Sequence, residues 1–171
     1  FENIDRAYCD GSDLEARKNM LLAAFSAGCA FSKSYVGYVH AVAHSLGGEY
    51  NVPHGLANAV LLPFVLESYG HTIDAKLHQL AIAAGVADEA ATESQAATQF
   101  IQAIKDMKKR FSIGDTIPQI REEDIPKLAS YAEKEANPLY PVPVLMDARQ
   151  LESFYYLLME KNETEESNQE V

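Results

Sequence analysis

The sequence predicts an all-α fold. Apolar residues recur at helical spacing along most of the 171 residues, and helix-start motifs precede several of these runs. No stretch alternates with period two for long enough to make a sheet. Hydrophobic residues make up 47% of the chain, enough for the core of one domain at this length, and no internal repeat divides it.

The elements follow in order. Ser12-x-x-Glu15 reads as a capping box, with Asp13 adding a carboxylate to the first turn. Leu14, Met20, Leu21, Ala24 and Phe25 then repeat at helical spacing, predicting a helix over 13–27 that Gly28 bends or interrupts. The next run, 31–46, is small and apolar, with Lys33 its single formal charge. A helix so apolar on most faces belongs in a core, and Gly47-Gly48 is placed to end it. After a loop over 49–53, a further helix starts at His54 and runs toward Gly70, with Pro63 as a kink or restart.

The remaining helices are amphipathic. A short one spans 76–84 and stops at Gly85. Thr92-x-x-Gln95 caps the next, which sets Phe100, Ile101, Ile104 and Met107 on one face. Lys105, Lys108, Lys109 and Arg110 stand near its C-terminus, where cations complement the helix dipole, and Ser112-Ile113-Gly114 breaks it. Asp124 caps a helix reaching to about residue 135, with Pro126 in its first turn. Asn137-Pro138 and Pro141-Val142-Pro143 stiffen an extended segment. Asp147-x-x-Gln150 then caps the last helix, through Leu151, Phe154, Leu157 and Leu158.

Charge narrows the function classes. The 14 Lys+Arg stand against 25 Asp+Glu, a net charge of −11, which weighs against nucleic-acid backbones and anionic membranes as partners. Residues 160–171 hold five acids and one lysine without periodicity, and read as a solvated, frayed tail. Cys9 and Cys29 are too few for a disulfide framework and read as a reduced, buried or half-buried pair. With no membrane-length apolar run and no leader at its start, the chain is expected to be soluble and cytoplasmic.

Chemistry concentrates on histidine. His71 and His78 lie on loop or amphipathic segments without an acidic or histidine neighbour at ligand spacing, and read as ordinary surface or half-buried residues. His40 and His44 are four apart, so on a helix they share one face. That spacing leaves two readings open: a chelating pair, or two imidazoles each satisfied by a backbone or side-chain partner. His54, just after the turn ending at Pro53, is where the chain folds back beside the His40 face. Two neutral imidazoles from different segments then suit a divalent transition metal. Glu49 is the nearest carboxylate and a weak candidate, so the ligand set is incomplete.

Other motifs compete poorly. No glycine-rich phosphate loop or nucleophile elbow occurs. Ser45 beside His44 makes no triad, because adjacent helical residues face apart. Cys29 lacks a base and reads as packing.

Three segments together resemble a known family. They are Gly28-x-Ala30-Phe31-Ser32, Gly37-x-x-His40-x-x-x-His44-x-Leu46-Gly47, and Pro53-His54-Gly55-x-Ala57-Asn58-Ala59-x-Leu61-Leu62-Pro63. With every spacing kept, they resemble the signature of the iron-containing (group III) alcohol dehydrogenases. The stretch from Asp10 to Met20, and Ala136-Asn-Pro-Leu-Tyr-Pro-Val-Pro, extend the resemblance over residues 1 to about 159.

The resemblance implies the C-terminal helical domain of the dehydroquinate synthase-like, iron-dependent alcohol dehydrogenase fold. It implies that His40 and His54 bind metal and that His44, near the nicotinamide end of the cleft, relays a proton. Fe2+ is the implied metal, with Zn2+ possible, as in glycerol-type relatives. The implied reaction is hydride transfer between a primary alcohol and NAD or NADP, with Phe31, Val36 and Leu46 walling the pocket. In such enzymes the glycine-rich dinucleotide turn and the other two ligands, an Asp and a His, lie upstream. The chain, starting at Phe1, is therefore expected to match only the metal-binding half, over 1–159. Its implied partners are the missing N-terminal dinucleotide-binding domain and further copies in a homo-oligomer. Alone it should hold metal weakly, turn over nothing and self-associate. The rival readings are a non-catalytic helical module packing on a separate dinucleotide-binding chain, and a zinc-dependent polyol dehydrogenase domain.

Overall fold

Eight α-helices carry the described residues, 1–159 of the computed structural model: α1 Ile4–Cys9, α2 Leu14–Ser34, α3 Tyr38–Tyr50, α4 His54–Ser68, α5 Asp74–Ala83, α6 Glu93–Arg110, α7 Ile125–Ala136 and α8 Ala148–Leu158. Two short 3-10 turns accompany them, and no strand occurs among the described residues, so the fold is all-α as predicted. The acidic segment 160–171 lies outside the described residues.

Local start signals were read correctly where they act alone. Thr92 with Gln95, and Asp147 with Gln150, form reciprocal capping boxes that open α6 and α8. Elsewhere a competing bond wins. Ser12 turns back to donate to Asp10 Oδ1 at 2.6 Å, and Asp13 caps α2 by accepting from the Ala16 amide at 3.0 Å. Asp124 makes no cap bond to α7; its Oδ2 receives the Tyr50 hydroxyl at 2.8 Å and Arg121 Nε at 2.8 Å.

Helix α2 runs through Gly28 to Ser34, seven residues beyond the expected end. One helical glycine costs only about 1 kcal/mol relative to alanine, and Ala24, Ala27 and Ala30 surround it. The break falls instead at Tyr35, whose φ of 61° is a left-handed conformation that side chains rarely adopt. Gly47 and Gly48 do not end α3; they sit inside its last turns. Asn51, at φ 54°, takes the cap, its amide bonded to Gly47 O at 3.0 Å. Packing of α3 between α4 and α7 outweighs the two glycine penalties. Pro63 likewise sits inside α4 without ending it.

The core lies where α3 meets α4 and α7, α4 meets α6 and α8, and α7 meets α8, with α5 closing on α6. Tyr38, Leu46, Leu61, Ile125, Leu128, Leu151, Tyr155 and Leu158 are fully buried there. Its polar atoms are paired. The Tyr38 hydroxyl donates to Asn137 Oδ1 at 2.9 Å and accepts the Met146 amide at 2.9 Å. Ser45 and Tyr155 hydroxyls meet at 2.7 Å, so Ser45 is a core tie and not a nucleophile.

Two expectations reverse. Cys9 and Cys29 are both exposed, because α1 buries no residue and α2 buries only Ala16. Lys108 is buried; its ammonium donates to Asp115 Oδ1 at 2.7 Å and Val60 O at 3.3 Å, so it is tied to the core rather than to the helix end. No helix among the described residues is long and apolar enough to cross a membrane.

Candidate metal centre

Helix α3 sets the site by dividing its faces. Tyr38, Ala41, Val42, Ser45 and Leu46 are buried in the core, which leaves His40 and His44, one turn apart, on the open side. The left-handed Asn51 turns the chain into α4, and His54 is the first residue of that helix. The three imidazoles close a triangle. Ring centroids lie 5.8 Å apart for His40–His44, 5.4 Å for His40–His54 and 5.3 Å for His44–His54.

They line an open cleft of about 350 Å³ whose other walls are Phe31, Tyr35, Val36 and Tyr140. Phe31 and Val36 stand where the resemblance put them. Leu46 does not; it is fully buried in the core behind the histidines.

Each imidazole has a distinct environment. Burial lowers the His40 pKa, and the neighbouring His44 and His54 lower it further against an opposing pull from Glu135. The shift favours the neutral form, the form in which an imidazole can ligate a metal. At His54, the Asn58 side-chain amide donates to the His54 carbonyl at 2.8 Å and lies 3.1 Å from Nε2. Asn58 Oδ1 is buried without a hydrogen-bond partner, an oxygen donor left over beside the site. At His44, Nδ1 lies 2.7 Å from Glu135 Oε1, and the Tyr140 hydroxyl donates to the same oxygen at 2.8 Å. Burial, then the hydrogen bond and charge of Glu135, push the Tyr140 phenol up to about 12, so it remains a donor through neutral pH.

Glu49 is no ligand. It lies in the last turn of α3 and pairs with Lys127 Nζ at 2.8 Å. His71 has the acidic neighbour the sequence reading missed, Asp74 Oδ2 at 2.8 Å, on an exposed turn away from this cleft. Glu135, Tyr140 and Asn58 were all missed. Asn58 had a readable signal, one turn after His54 on the same helix. Glu135 had none, being 91 residues from His44.

No group of three or more His, Cys, Asp or Glu side chains among the described residues is arranged to hold a metal ion. The donor set fits a divalent transition metal in part: His40 and His54 face each other from two helices, with an orphaned amide oxygen nearby.

The family model described as "Fe-containing alcohol dehydrogenase family, C-terminal" matches residues 1–157. The chain belongs to this family. Among curated relatives, 1,3-propanediol dehydrogenase of Citrobacter freundii is 40% identical over 141 residues, 79% of this chain and 35% of that protein. Alcohol dehydrogenase 4 of Saccharomyces cerevisiae (strain YJM789) is 37% identical over 139 residues, again 79% of this chain and 35% of its own length. A crystal structure of 1,3-propanediol oxidoreductase superposes with a TM-score of 0.83 at 33% identity, covering 91% of this chain and 41% of that one. The chain thus spans about a third of the length of the curated dehydrogenases it matches.

Proposed function

We propose that residues 1–159 form the metal-binding helical domain of an NAD(P)-linked dehydrogenase interconverting a primary alcohol and an aldehyde. The observation that carries the reading is the convergence of His40, His44 and His54, from two helices, on one open cleft. Family membership and the names of its relatives, which include 1,3-propanediol dehydrogenase, supply the substrate class.

His40 and His54 would hold the metal through neutral imidazoles, and further ligands would come from residues other than those described. Fe2+ is favoured by the family, with Zn2+ as the second choice. When bound, the ion supplies a Lewis acid toward an alcohol or carbonyl oxygen. The chain's own contribution is placement. His44 stands beside both ligands and would carry the hydroxyl proton between the cleft and solvent, while Phe31, Tyr35 and Val36 line one side of the cleft.

The partner of this domain is a dinucleotide-binding domain, with assembly into a homo-oligomer. Support comes from the apolar side chains left outside the core: Leu14 is 79% exposed, Leu21 72% and Phe25 70%. The test is elemental analysis and alcohol-dependent NAD(P)+ reduction by the purified chain, with and without its dinucleotide-binding domain. Metal and turnover that both require the two together support the reading. Robust turnover by the 171 residues alone overturns the division of labour.

A further inference from the structure

We infer that Glu135 is the positioning residue of His44: it fixes which ring nitrogen carries the proton, and Tyr140 in turn fixes Glu135. The inference rests on the reading above, in which His44 handles the substrate proton, but its geometry stands without a metal.

An ionised carboxylate can only accept hydrogen bonds. Glu135 Oε1 lies 2.7 Å from His44 Nδ1, so a neutral His44 must carry its hydrogen on Nδ1. The lone pair is then on Nε2, free for a proton from the cleft. Isolated imidazole side chains do not hold this tautomer by themselves; a fixed partner at the other nitrogen selects it. Tyr140 completes the clamp by donating to the same Oε1 at 2.8 Å. Its place in the wall of the histidine cleft sets that hydroxyl beside Glu135.

The clamp joins two clefts. His44 lines the histidine cleft on one side and, with Glu135, a second opening of about 320 Å³ bounded by Gly48, Glu49 and Tyr131. Glu135 comes from the last turn of α7, whose Leu128, Ala129, Ala132 and Ala136 are buried in the core. The carboxylate is therefore carried on a packed helix, while the pair itself is partly open to solvent, with His44 43% and Glu135 33% exposed.

The decisive experiment is long-range 1H–15N NMR on the metal-free 171-residue chain at about pH 8, above the imidazole range. His44 is assigned by the loss of its signals in His44→Ala. The expected result is a neutral His44 in the Nδ1–H form, with Glu135→Ala moving it to a mixture dominated by Nε2–H. A wild-type His44 already in the Nε2–H form overturns the inference, whether or not the variant folds. So does an Nδ1–H signal that Glu135→Ala leaves unchanged. In the assembled dehydrogenase, Glu135→Ala should lower kcat about 10- to 100-fold with metal content unchanged. Absent metal in the wild-type enzyme would sink the functional reading while leaving the tautomer result standing, so the two failures are separable.

Discussion

Lys108 Nζ lies 2.7 Å from Asp115 Oδ1, and the two side chains differ sharply in exposure, 4% for the lysine and 75% for the aspartate. Among the described residues, the buried ammonium has one other hydrogen-bond partner, Val60 O at 3.3 Å, and lies 5.6 Å from the centroid of the Phe64 ring. Asp115→Asn should therefore destabilise the fold by about 1–3 kcal/mol, the usual range when a buried charged donor loses its charged acceptor. Chemical denaturation at neutral pH measures it.

The same pair gives a pH dependence of known sign. The Lys108 hydrogen bond holds the Asp115 carboxyl below its ordinary value against the opposing effect of burial, with smaller help from the charges of Lys108, Lys105 and Lys109. A lowered folded-state pKa contributes stability that is fully present above the unfolded value of about 4 and is lost as pH falls through the folded value. Denaturation midpoints should fall on acidification across that window, and less steeply in Asp115→Asn.

The proposed roles of the three histidines can be separated. In the dehydrogenase assembled with its dinucleotide-binding domain, His40→Ala or His54→Ala should remove the metal and abolish activity. His44→Ala should slow turnover while metal content stays near wild type. Elemental analysis beside steady-state kinetics reads both quantities, and equal metal loss in all three variants would refute the split.

Tyr38→Phe removes one oxygen from a fully buried site. The Met146 amide and Asn137 Oδ1 lose a partner there, at a cost of about 1–3 kcal/mol. Thermal melts should show the drop. The histidine rings sit on the other face of α3, so the His44 NMR signature should not move.

The chain alone should self-associate despite a net charge of −11. From Leu21 to Tyr35 every residue of α2 and its cap is exposed except Gly28, including Leu22 at 52% and Phe31 at 49%. Sedimentation should show concentration-dependent growth that Leu21→Glu with Phe25→Glu suppresses. A clean wild-type monomer at high concentration would count against it.

Much of this was legible in the sequence, and the boundary follows the range of the interaction. Capping boxes act over three residues, so Thr92–Gln95 and Asp147–Gln150 could be read directly. The His40–His44 pair and the turn into His54 are also local, and they brought the three imidazoles together on paper. Gly47-Gly48 misled because the length of α3 is set by α4 and α7, elements that a window of neighbours does not contain. Lys108 looked like a dipole complement for the same reason: its partners Val60 and Asp115 lie in other segments. Glu135 could not be found at all, since only the packing of α7 on α3 places it beside His44.

The break at Tyr35 gives the cleft two walls of unequal standing. Its inner wall, the three imidazoles, is carried by helices α3 and α4, whose opposite faces are buried in the core. Its outer wall, Phe31 and Tyr35, belongs to the far end of α2, which packs chiefly on α1 and buries almost nothing. The mouth of the site is thus only as well defined as whatever steadies that arm. On the proposed function, closing this cleft and joining the dinucleotide-binding domain would be the same physical event, and no finished pocket would be on offer to substrate before that assembly.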